Sequence, residues 1–179
     1  MVDVKSKVSN EEWQARQDLA AFYRTVPYFK WDDLIFTHIS AKVPGTEDEF
    51  LINPYGFLFD EITASNLVKV DLKGKILSDT NNFINPAGFT IHSAIHEARE
   101  DAHCIVHLHS NDGVAVASLK DGLLPLSQTG MLVRSQISYH DYEGVALFDD
   151  EKERLVKDLG QEKLMILRNH GTLAIGKNV

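Results

Sequence analysis

With 179 residues, 44% of them hydrophobic and 25% charged, the chain has the length and make-up of one globular domain that can bury its own core. Its formal net charge of −8 argues against the basic surface that nucleic acid or an anionic membrane would require, and no apolar run approaches the roughly 18 residues of a membrane helix. The opening MVDVKSKVSNEEW lacks a signal-peptide core, and the single cysteine, Cys104, rules out an internal disulfide, so the expected setting is the reducing cytoplasm.

Ser9 followed by Glu12 has the form of a capping box and opens a helix. Trp13, Ala20 and Tyr23, with Leu19, Phe22 and Val26, recur there at helical spacing, and Pro27 is expected to stop it. Strand-like pieces follow over residues 34–39, 49–52 and 67–71, with turns at Val43-Pro44-Gly45 and Asn53-Pro54-Tyr55-Gly56. Lys73-Gly74-Lys75 reads as a tight hairpin turn. Residues 88–100 return to a helical pattern, with Ile91, Ala94, Ile95 and Ala98 as its apolar face. Residues 102–109 read as a buried strand, Ser110 as the cap of a helix through Leu119, and residues 150–159 as a further helix stopped by Gly160. Strands over 164–167 and 173–175 flank a turn at Asn169-His170-Gly171. Strands and helices are interspersed without strict alternation, which predicts an α/β domain with a mixed sheet covered by helices. The sequence stops directly after a strand. Residues 1–179 therefore read as one domain cut short at its C-terminal end, which is expected to leave Leu173 and Ile175 exposed.

His107 and His109 carry the most chemistry. On a strand, residues two apart share a face, so both imidazoles can lean onto one cation. A hydrogen-bonded pair on a solvated face explains the same spacing. Zinc needs at least three protein ligands, and His170, in its turn before Gly171, is the best third candidate; taken alone it is an ordinary turn histidine. His92 and His96 share a helix face, but Ser93 stands where a metalloprotease needs glutamate, and both read as helix-surface or packing residues. His140 could pair with Asp141. Cys104, in an apolar strand, reads as an inert buried thiol. Phosphate loops, dinucleotide fingerprints and a Gly-x-Ser-x-Gly elbow are all missing from the sequence.

Several motifs in order, NPAGFTIHSAIH (85–96), VHLH (106–109), GLLPL (122–126), YHDY (139–142) and LRNHG (167–171), resemble the class II aldolase/adducin family from about Trp13 to the end. The resemblance implies a helix–sheet–helix domain with a mixed, largely antiparallel central sheet, a homo-oligomer (usually a tetramer), and His107, His109 and His170 as ligands of a divalent metal. That metal is zinc in the aldolases, with manganese or iron as alternatives. In the sugar-phosphate aldolases a glutamate four residues before the helix histidine acts as acid/base; here that position is Gly88. The two phosphate-binding serines correspond to Pro86 and Ala87, the early asparagine to His38 and a threonine to Tyr55, while Ser40 and Gly56 are retained. Ser40, Gly56 and His38 are accordingly the candidate substrate-binding residues, and Tyr139, His140, Tyr55 and Glu61 the candidate replacements for the acid/base. These departures, with LINPYG (51–56) and TASNLVK (63–69), move the sequence toward the adducin head domain. Two functions follow from the resemblance. One is a metal-dependent lyase, for aldol cleavage or decarboxylation of a small non-phosphorylated carbonyl acid; the other is a non-catalytic, adducin-head-like interaction module.

Overall fold

The strand-forming stretches of the sequence meet in one seven-stranded sheet. The computed structural model describes residues 4–145 and 149–179. In chain order its elements are α1 (Asn10–Tyr28), β1 (His38–Lys42), β2 (Glu49–Ile52), β3 (Val68–Asp71), α2 (Pro86–Ala98), β4 (Cys104–Leu108), α3 (Asn111–Ala117), α4 (Gln128–Arg134), β5 (Ile137–His140), α5 (Asp149–Leu159), β6 (Leu164–Leu167) and β7 (Gly171–Gly176). The strand order is β3-β2-β1-β4-β7-β6-β5; every pair is antiparallel except β5 with β6. This is the mixed α/β sheet that the element pattern predicts, largely antiparallel as the family resemblance implies.

Period-two alternation divides the sheet into two apolar faces. On one, Ile39, Ala41, Leu51 and Cys104 pack under Leu19, Tyr23 and Val26 of α1. On the other, Ile105, Met165, Leu167, Leu173 and Ile175 meet Ile91 and Ile95 of α2 and Leu155 and Leu159 of α5. Leu173 and Ile175, expected to be exposed, are buried, because α2 and α5 already cover their face. None of the described helices is long and apolar enough to cross a membrane.

Local chemistry accounts for most of the boundaries. The Ser9 hydroxyl accepts the Glu12 N–H at 3.0 Å and starts α1. Pro27 does not stop the helix, which runs to Tyr28. Pro27 forfeits only the one helical bond to the Tyr23 carbonyl, and with one more residue to run the helix continues past it, closed by the Phe29 N–H to Thr25 carbonyl bond (3.0 Å). Glu12 and Arg16, one turn apart, are both buried. Arg16 donates to Glu12 (2.9 Å) and to the carbonyls of Ala64 and Leu67, and Lys69 takes the other Glu12 oxygen at 3.0 Å, so each buried charge is partnered.

Strand β1 begins at His38 rather than residue 34, because Leu34 (φ 52°) and Thr37 (φ 67°) hold left-handed backbone that no strand adopts. Helix α4 and strand β5 are not evident from the sequence. At four residues, β5 is too short to show a period, and it is held by parallel pairing to β6.

Candidate metal centre

Strand β4 lies between β1 and β7 and delivers His107 to the α2 side of the sheet, paired in register with His38 and Leu173. His109 follows just past the strand end, before Ser110 caps α3. His170 sits in the β6–β7 turn, where Asn169 (φ 56°) supplies the left-handed residue. Gly171, the next residue, is pressed against both strand histidines. A Cβ there would lie 2.9 Å from the His109 ring and 3.3 Å from that of His107, so glycine is required for close approach and not for its backbone angle.

The three histidines converge. One nitrogen from each can be chosen so that all lie within 4.8 Å of one another. Their ring centroids are 4.7 to 4.8 Å apart. His107 Nδ1 lies 3.0 Å from the Thr172 carbonyl, which can only accept, so that nitrogen carries the proton. His109 Nδ1 lies 2.9 Å from Asp33 Oδ2, and with the carboxylate ionised the same assignment follows. Both Nε2 atoms are thereby turned toward each other, 3.1 Å apart, as two acceptors. Two lone pairs at that distance repel unless a cation lies between them. Tetrahedral zinc, with Zn–N of about 2.0–2.1 Å, sets its ligand nitrogens about 3.3 Å apart, so the donor set fits the ion.

Electrostatics agrees with this chemistry. Burial and the surrounding histidines hold His107 well below the ordinary imidazole value, and His170 is pushed down to about 4, mainly by burial and by His109. Neutral imidazole is the ligand form.

The loop that brings Asp33 to His109 is strained, with Lys30, Leu34 and Thr37 all at positive φ. Conformations of this kind cost roughly 1–3 kcal/mol each and cluster at functional sites. Asp33 was not foreseen: it stands 76 positions from His109 in a stretch with no motif. Tyr142, which is more than half exposed and has its ring 6.4 Å from that of His170, was not foreseen either.

The remaining candidates are dispersed. His38 is buried against His107, with ring centroids 5.0 Å apart. Ser40 is fully buried, and its hydroxyl is occupied by His92 Nδ1 and His96 Nε2. His92 and His96 are therefore interior residues and not helix-surface ones, because the α2 face they occupy is pressed onto β1. Gly56 forms a turn at φ 92°, and the Tyr55 ring packs on Phe83 at 5.8 Å. The Glu61 carboxylate accepts the Leu58 N–H at 2.8 Å within a short turn. The Tyr139 hydroxyl accepts the Leu123 N–H at 3.1 Å, beneath the Arg168 guanidinium. His140 pairs with Asp158 (2.8 Å) and not with Asp141, whose carboxylate meets Arg168 at 3.3 Å. Of the acid/base candidates, His140 is nearest in kind: it is buried, and its Nε2 lacks a hydrogen-bond partner among the described residues. Cys104 is buried and its thiol is pushed up to about 12, as expected of an inert side chain.

Residues 17–179 match the family described as Class II Aldolase and Adducin N-terminal domain. A Caulobacter vibrioides protein named "Putative aldolase class 2 protein" is 63% identical over 98% of this chain and 68% of its own length. Alpha-adducin of Rattus norvegicus is 47% identical over 92% of this chain, which spans 23% of that protein. Among solved structures, an aldolase II superfamily protein from Pseudomonas syringae is 53% identical, with a TM-score of 0.95 over 98% of this chain and 71% of that one. The L-fuculose 1-phosphate aldolase of Glaciozyma antarctica is 28% identical, with a TM-score of 0.82 over 99% of this chain and 68% of that one. The chain is a member of the class II aldolase/adducin family.

Proposed function

We propose that this protein binds a divalent metal through His107, His109 and His170 and acts as a lyase, by aldol cleavage or decarboxylation, on a small non-phosphorylated carbonyl acid. The observation that carries the metal is the pair of bare Nε2 atoms held face to face by Thr172 and Asp33. Zinc suits three neutral imidazoles best, with manganese or iron as alternatives. Bound there, the ion would supply Lewis-acid polarisation of a substrate carbonyl. By the same family resemblance the working form is a homo-oligomer, a tetramer in the first instance. The test is elemental analysis of purified protein: His109→Ala should lose most of the metal that the parent retains. Equal metal content in the two would sink the assignment.

The non-phosphorylated substrate rests on the start of α2. Pro86 has no N–H to offer, and the Ala87 N–H is already taken by the Asn85 side chain at 3.2 Å. A phosphate dianion needs several such donors to replace its water. Metal-loaded protein is therefore expected to leave fuculose 1-phosphate and ribulose 5-phosphate intact in a coupled assay. Turnover on the order of 1 per second or faster would refute this reading of the pocket. The similarity to alpha-adducin supports a second reading, an interaction module that keeps the fold without turnover. A screen of 2-oxo and 3-hydroxy acids separates the two.

A further inference from the structure

Away from the histidines, a cavity of about 660 Å³ opens between the start of α1 and the loops on either side of β3, the edge strand that β2 and β1 separate from β4. None of the histidines lines it. Its size is that of a small-molecule site, for which about 300–1,000 Å³ is usual.

Arg16, only 2% exposed, lines this cavity. A guanidinium carries five N–H donors. The Nε–H goes to Glu12 at 2.9 Å, and Nη1 donates to the carbonyls of Ala64 (3.2 Å) and Leu67 (2.9 Å). Both hydrogens of Nη2 remain, and no acceptor meets them among the described residues. The fully enclosed side-chain atoms that lack a partner there are Thr37 Oγ1 and His140 Nε2. Nη2 is not one of them, so it opens on the cavity. Three N–H groups thus hold the guanidinium still while two stay available to a guest, and a donor fixed in advance in this way loses little freedom on binding.

The rest of the lining decides what the guest is. Ser65, Asn81 and Asn82 make no side-chain hydrogen bond among the described residues. Ser78 Oγ accepts the Lys69 N–H at 2.7 Å and Thr63 Oγ1 the Asn66 N–H at 3.3 Å, which leaves each hydroxyl its own hydrogen to give. Val8, Leu67 and Leu77 supply apolar surface between these groups. The cations that reach the cavity are already matched. Arg16 has Glu12, Lys69 has Glu12 and Glu49 (3.0 and 3.5 Å), and Lys7 has Asp79 (3.0 Å), so three carboxylates answer three positive charges. An anion entering here would bring a charge with no counterpart, into a chain whose net charge is already −8.

We propose that this cavity is a binding site for an uncharged sugar. Its hydroxyls meet Arg16 Nη2, Ser65, Asn81 and Asn82, and its C–H face lies on Val8, Leu67 and Leu77. The site shares no residue with the histidine centre and depends on neither the metal nor the lyase reading.

The test is titration of the full chain with glucose, galactose, mannose and arabinose, followed in nitrogen-15 spectra of the side-chain amides. At least one of these sugars should shift the Asn81 and Asn82 signals saturably, and its charged counterparts, glucuronate or glucose 6-phosphate, should bind several-fold more weakly. Asn82→Ala should weaken the bound sugar by roughly two- to tenfold, the worth of one neutral hydrogen bond. Ser65→Trp, at an exposed position where the larger ring need not disturb the core, should fill the cavity and abolish binding. His109→Ala should leave it unchanged. The proposal is overturned by an absence of saturable shifts with all four sugars, by charged forms that bind as well or better, or by binding that survives Ser65→Trp. Loss of sugar binding in His109→Ala would place the sugar at the histidines and overturn it as well.

Discussion

Asp33 is not in the set of three proposed ligands, yet it decides which His109 nitrogen is bare. A carboxylate on Nδ1 fixes tautomer and ring orientation and raises the basicity of the far nitrogen. Partners of this kind are typically worth about 10–100-fold in metal affinity. Asp33→Ala should therefore weaken zinc binding by about that factor in a chelator competition, with little change in fold. An unchanged affinity would show that Asp33 is incidental. How far the site could be read from sequence follows from these residues. The same-face pair His107 and His109 is legible from a period of two. His170 needed the ordered set of motifs, since a turn histidine alone carries no such signal. Asp33 was invisible because its contact is made by a loop with three left-handed residues, and nothing local in the sequence fixes such a path.

Helix α2 is the element whose character the sequence conveys least faithfully. Its i, i+4 histidines were legible as a pair, but the apolar face expected from Ile91, Ala94, Ile95 and Ala98 suggests a half-exposed helix, and most of it is interior. A period of 3.6 reports only which face is most apolar. It cannot report that the polar face is also covered and satisfied by a strand serine and a loop carbonyl. This has a pH consequence. Burial lowers His92 and His96 in the folded protein, His96 to about 3, against 6.5 for the unfolded chain. The unfolded state thus takes up protons first. Stability is complete above about pH 6.5 and is lost as pH falls toward the folded values, at up to about 1.4 kcal/mol per pH unit for each histidine. Urea midpoints should decline steadily from pH 7 to pH 5, and a flat profile over that interval would contradict the burial of these rings.

At the scale of the whole molecule, the candidate centre sits where the two halves of the sheet join. Strand β4 brings His107 and His109, the turn beyond β7's partner strand brings His170, and the loop entering β1 brings Asp33. No single element holds all three candidate ligands, which come together only when β4 and β6 pair through β7, so metal binding should report on folding of the sheet. Zinc at a hundredfold excess over its dissociation constant stabilises a folded state by about 2.7 kcal/mol. For a chain of this size that corresponds to a rise in Tm of roughly 5–10 °C. Differential scanning calorimetry should show the rise in the parent and none in His109→Ala; a rise of the same size in both would place the ion elsewhere. The sheet order itself was less legible than its composition. The parallel β5–β6 pair depends on a four-residue strand, and the choice of β7 as neighbour to β4 depends on contacts far apart in sequence.

The crowding of His38 against Gly88 ties two positions 50 apart in the chain into a single heritable unit. A side chain larger than hydrogen at 88 collides with the imidazole at 38, while a smaller residue at 38 opposite glycine leaves a hole and strips His92 Nε2 of its His38 partner. Neither position can therefore change in size alone without worsening the packing, so a larger side chain at 88 is tolerated only together with a smaller one at 38, and the two substitutions should be strongly non-additive in stability.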